Sequence, residues 1–138
     1  MKKKKILYVL VTILVIVAAF AVWYIIPTHF LGGVEASDIT KIYVFDGNTG
    51  KGFDITDEEE IAYIVDNIKE TKLEKGMISL GNMGYSLEMS FYNEKDKEIE
   101  SFILNSDDTI RDDPFSYWCD GGLCYEYIKE LEGDYVKD

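Results

Sequence analysis

"YSLEMSFYNEKDKEIESFILN", residues 85–105, carries the cleanest pattern in the chain. Tyr85, Leu87, Met89 and Phe91 share one parity, while Ser86, Glu88, Ser90 and Tyr92 share the other. Strict alternation predicts a strand with one buried and one wet face, as antiparallel sheets have. The polar "EKDK" that follows reads as a turn, and "EIESFILN" returns as the partner strand. A hairpin in this position, rather than alternating βα units, makes the expected fold class α+β.

Upstream, "TDEEEIAYIVDNIKETKLEK" (56–75) places Ile61, Ile64, Val65 and Ile68 at i, i+3, i+4 and i+7, the spacing of one buried helix face. Thr56 followed by Glu59 matches a capping box, and residues 57–60 put four acids at the positive end of the helix dipole. The acidic run therefore reads as a helix start rather than a metal site. Before it, "KIYVF" and "FDIT" are short extended runs around the turn-rich "DGNTGKG", a second hairpin. "GNTGKG" lacks the spacing and the Ser/Thr after lysine that a phosphate loop needs. A calcium loop over the same residues would need glycine at Lys51 and glutamate at Asp57.

"EKGMISLGNMG" (74–84), with three glycines and no sustained period, reads as a loop. Downstream of the hairpin, "SDD" turns, "TIR" is a short strand and "DDPF" breaks it. "LCYEYIKELEG" (123–133) is the last helix, with the stripe Leu123, Tyr127, Ile128 and Leu131, Lys129 near its end and Gly133 as its stop. The expected domain is β-β-α-β-β-(β)-α: an antiparallel sheet of 4–5 strands with two helices on one face. About 100 residues suffice for one core.

The N-terminus is of another kind. Four lysines at 2–5 precede "ILYVLVTILVIVAAFAVWYII" (6–26), 21 residues without a charge. As a helix this run reaches about 31 Å, the thickness of a bilayer's hydrocarbon core. Trp23 and Tyr24 stand where amphipathic rings prefer the headgroups, and lysine-rich flanks stay cytoplasmic. A cleaved signal peptide is the rival, with Ala19-Phe20-Ala21 as its small-residue triplet, but the apolar run continues through "VWYII" beyond it. The expected division is a cytoplasmic tail at 1–5, a single membrane span at 6–26, a linker at 27–37 and an extracytoplasmic acidic domain at 38–138.

All 26 acidic residues lie at or beyond Glu35, against 10 basic ones there, a balance of −16. Such a field repels nucleic acids and anionic headgroups and favours a basic protein or peptide partner, or a cation. The aromatic content of 14% is too high for a disordered acidic tail.

Chemistry is sparse. His29 is the only histidine, so no His-based dyad or triad forms within the domain. No cofactor motif occurs. Asp107, Asp108, Asp112 and Asp113 cluster around Arg111, the only arginine, and supply the alternative reading of a calcium-dependent or acid-based envelope hydrolase. The bland reading is a pair of Asp-rich turns. Tyr117 and Trp118 form a candidate binding surface if exposed and a core lid if buried. Cys119 and Cys124 flank an Asp-Gly-Gly turn; outside the cytoplasm they are expected to form a structural disulfide, with free thiols as the alternative. Two cysteines with no nearby histidine are half a zinc site, and acidic surroundings disfavour a reactive thiol.

The lysine-rich tail, the apolar helix, "DGNTGKGFDITDEEEI" and "SLEMSFYN…EIESFILNSDDTIRDDPF" together resemble small membrane-anchored extracytoplasmic proteins of low-GC Gram-positive bacteria, a largely uncharacterised group. The likeness covers most of residues 38–131 and carries no catalytic signature. It implies an envelope location, an α+β domain and no enzyme. The expected function is therefore a single-pass anchored binding module.

Overall fold

Lysine and the aliphatic residues after it are both helix-competent, so α1 spans Lys2–Ile25 and takes in the basic tail as well as the apolar run. Its side chains are all exposed, and it is long and apolar enough to cross a membrane. Thr12, within the apolar run, donates its hydroxyl to Tyr8 O at 2.8 Å and so satisfies itself within the helix. The computed structural model describes residues 1–80 and 86–137. Tyr85, assigned above to the buried parity, and residues 81–84 of the expected loop lie outside the described residues.

Beyond α1 come a 3₁₀ turn (Ala36–Asp38), β1 (Lys41–Asp46), β2 (Lys51–Ile55), α2 (Glu58–Glu70), β3 (Glu74–Ile78), β4 (Leu87–Tyr92), β5 (Glu98–Leu104), β6 (Thr109–Asp112), β7 (Phe115–Trp118) and α3 (Tyr125–Tyr135). The strands form one antiparallel sheet ordered β2-β1-β4-β5-β6-β7-β3. The α+β class and antiparallel sheet are as expected, and the 85–105 hairpin is β4–β5, pairing Leu87 with Leu104 and Met89 with Phe102.

Among the described residues the sheet has seven strands rather than 4–5. One addition, β3, lies in the expected loop. It is an edge strand whose side chains are mostly half-buried or exposed, so it shows no alternation. Gly76 belongs there because a Cβ would meet Ser116 O at 3.1 Å and the Trp118 ring at 3.3 Å. The other, β7, returns after the turn at Asp113–Pro114, which reads in sequence only as a break.

Leu87, Met89, Phe91, Phe102, Leu104, Ile42, Val44 and Ile55 bury one sheet face, which α2 and α3 cover through Ile61, Ile64, Val65, Ile68, Ile128 and Leu131. Each such aliphatic side chain contributes about 1.5–3 kcal/mol on removal from water. The linker joins this core: Phe30 and Leu31 are buried, and Phe30 packs on Phe102 (5.0 Å) and edge-on to Tyr117 (5.1 Å).

Two helix ends shift from expectation. Asp57, not Thr56, caps α2, its carboxylate accepting from Glu59 N and Glu60 N at 3.0 Å. α3 runs through Gly133 to Tyr135, whose ring stacks on Phe53 and whose hydroxyl donates to Glu60 at 2.6 Å.

Candidate functional site

The 3₁₀ turn forms because Glu35 and Asp38 cap each other, Glu35 N donating to Asp38 Oδ2 at 3.2 Å. Lys69 of α2 pins this segment by donating to Val34 O at 2.8 Å, with Glu35 at 3.6 Å. Across from it stands the β4–β5 turn, folded around Asn93, whose side-chain oxygen accepts from Lys95 N and Lys97 N. Lys41 pairs with Asp96 of that turn at 3.0 Å and lies over the Tyr92 ring.

Between these two walls lies a cleft of about 520 Å³, with the exposed residues Ser37, Asp38, Thr40, Glu94 and Lys95 along its rim. A second hollow of about 390 Å³ adjoins it through Ser37 and Thr40 and runs to the start of α2. It is more apolar, lined by Ala36, Ile39, Ile61 and Ala62 with Glu58 at its edge. Together they make a groove with an apolar stretch and three carboxylates against one lysine on its rim.

A polar cluster occupies the opposite end of β1. Asp46 shares parity with Ile42 and Val44, which carries its carboxylate into the covered face, where it is fully buried. There it meets the Lys129 ammonium; Lys129 also pairs with Glu132 at 2.7 Å, and Thr49 donates to Glu132 at 2.9 Å. Burial alone would raise the Asp46 carboxyl, but the bonds from Lys129 and Asn48 N hold it below the usual range. Partial burial likewise opposes the Lys129 charge, and the two carboxylates raise it above its ordinary value. Sequence reading places Lys129 as a helix-end charge and passes over Asp46 and Glu132. Asp46's parity at the end of β1 is the signal that finds it. Chemically this is a clamp between β1 and α3, enclosed by its own partners.

The other residues singled out in the sequence do not converge. Tyr117 is buried against Phe30, while Trp118, 47% exposed, projects from the opposite sheet face over Gly76. Neighbours on a strand point apart, so the two rings cannot make one platform. Asp107 and Asp108 precede β6, Asp112 ends it and Asp113 follows, which separates the pairs by about 13 Å at the rise of a strand. Asp108 accepts from Ser106 and Thr109, and Asp113 pairs with Arg111 at 2.9 Å and takes the Ser79 hydroxyl. Among the described residues no group of three or more metal-type ligands comes together.

The expected disulfide is corrected: Cys119 and Cys124 are free thiols. Gly121 and Gly122, at φ +105° and +92°, carry the turn between them. Cys119 donates weakly to Gly121 O at 3.6 Å, and Cys124 is buried at the start of α3. The thiols thus have separate environments, one bonded to the turn and one packed in the core. Burial pushes the Cys124 thiol up to about 12, and burial with the nearby aspartates raises that of Cys119. Neither is set up as a nucleophile.

Comparison with family models, with curated proteins and with solved structures finds no match.

Proposed function

We propose that the chain is a single-pass membrane protein, N-terminus cytoplasmic, whose extracytoplasmic acidic domain acts by binding rather than by catalysis. Its partner is a basic peptide or protein segment of the cell envelope. The observation that carries this reading is the groove between the 3₁₀ turn, the β4–β5 turn and α2. It combines an apolar stretch (Ala36, Ile39, Ile61, Ala62) with a rim carrying Asp38, Glu58 and Glu94. An extended segment with one aliphatic side chain and flanking lysines matches both features. Complementary rim charges speed encounter and select the partner, whereas the apolar contact sets how long it stays.

The test is calorimetric titration of the full chain, held in neutral lipid nanodiscs, with a reporter peptide of alternating lysine and leucine. Affinity is expected to fall as salt rises, and to fall at constant salt when Asp38→Asn, Glu58→Gln and Glu94→Gln are combined. Equal affinity for the triple variant and the parent would contradict this site.

A further inference from the structure

We propose that the end of β3 and the turn after it form a second membrane contact: Met77, Ile78 and Leu80 enter the leaflet beside α1 on the domain's side. This rests on the reading of α1 as a membrane span. Leu73 bridges Thr28 through paired backbone hydrogen bonds of 2.7 and 3.0 Å. Lys75 then donates to Ile26 O at 3.1 Å and Trp23 O at 3.0 Å, and Gly76 O accepts from the Tyr24 hydroxyl at 3.1 Å. As numbers rise along β3 they fall along the anchor, so β3 runs back towards the apolar helix.

Ile78 continues this course. It pairs with Phe115, whose ring lies 5.7 Å from Trp23 and 6.5 Å from Tyr24. Those two rings mark the headgroup level of a spanning helix. Lys75 sits at the same level with its ammonium over the Trp23 ring, as an interfacial lysine does. At about 3.3 Å per residue, the side chains after Gly76 reach one to two residues deeper.

Their exposure fits no aqueous role. Met77 is 84% exposed and Ile78 65% exposed on a strand at the edge of the sheet, and Leu80, two residues beyond that strand, is 65% exposed. An exposed apolar edge invites aggregation unless something covers it. Lipid is the occupant that continuity selects, because the patch adjoins the wholly exposed apolar surface of α1. Charge agrees: in a strongly acidic domain the sequence carries no charged residue between Lys75 and Glu88. At the neighbouring β6–β7 turn, Asp113 is paired with Arg111 and accepts the Ser79 hydroxyl.

The test uses the full chain with Trp23→Phe and Trp118→Phe, which removes both native tryptophans. Single tryptophans are introduced by Met77→Trp, by Leu14→Trp in the middle of α1, or by Glu126→Trp on the exposed side of α3. Each variant is placed in phosphatidylcholine vesicles with brominated acyl chains. The expected result is strong quenching for Leu14→Trp and Met77→Trp and several-fold weaker quenching for Glu126→Trp. Quenching of Leu14→Trp without quenching of Met77→Trp overturns the second contact and leaves the span intact. A blue-shifted but unquenched Met77→Trp does the same, with protein as the cover. An unquenched Leu14→Trp overturns the span and this contact with it. If the Met77→Trp melting curve shows lost folding, Leu80→Trp gives the same reading.

Discussion

Asp46 and Lys129 show how one buried carboxylate can fix the place of a helix. Lys129→Met leaves Asp46 sealed from water without its cation, and is expected to cost about 2–3 kcal/mol in denaturant unfolding, below the range for fully buried pairs because Lys129 is part-exposed. The pH dependence has a defined sign. The lowered Asp46 value gives stability that is present above the ordinary carboxylate value of 3.8 and lost as pH falls through the folded value. The raised Lys129 value gives stability that is present below 10.5 and lost as pH rises through the folded value. The deficit of Lys129→Met relative to the parent should therefore be greatest between about pH 4 and pH 10 and shrink in acid, as thermal melts across pH will report. The aspartates around β6 predict an absence of effect. A calcium site filled at a hundred times its dissociation constant would add about 2.7 kcal/mol, whereas the separated pairs here predict an unmoved melting curve. The thiols predict equal mass with and without reductant after alkylation, with Cys119 labelled well before Cys124 in the folded protein.

Among the elements, those that bury one face were the ones legible in the sequence. Ile61, Ile64, Val65 and Ile68 read as a helix and form the buried stripe of α2, and Leu87, Met89 and Phe91 read as a strand face and form that of β4. Asp57→Ala should cost about 1 kcal/mol through the lost cap, and Ile64→Ala about 2–5 kcal/mol through lost burial and a cavity, both measured by denaturant unfolding. Elements fixed by distant partners were not legible. β3 owes its place to pairing with β7, some forty residues away, whose Ser116 O and Trp118 ring crowd the position that Gly76 occupies. α3 passes Gly133 because Tyr135 gains Phe53 and Glu60, contacts that outweigh a helix penalty of about 1 kcal/mol. The groove was illegible for the same reason, since its walls come from three separate segments. Only its charge was open to view.

At the scale of the whole molecule, the apolar helix does not end in a free tether. Lys75 closes the last turn of α1 by donating to Trp23 O, Ile26 O and Thr28 Oγ1, a cation on exposed carbonyls at the negative end of a helix dipole. Lys75→Ala should loosen the domain on its anchor without unfolding it: faster proteolysis at residues 26–29, ahead of the buried Phe30 and Leu31, with an unchanged core melting transition. The balance of charge, with lysines before the apolar run and acids after it, underlies the proposed orientation, and the most direct measurement of the account is topological. With one epitope tag at each end, protease added to intact cells stripped of their wall should remove the C-terminal tag and spare the N-terminal one, both having been on one membrane-bound chain. Protection of both tags, or a domain released into the medium without residues 6–26, would contradict it.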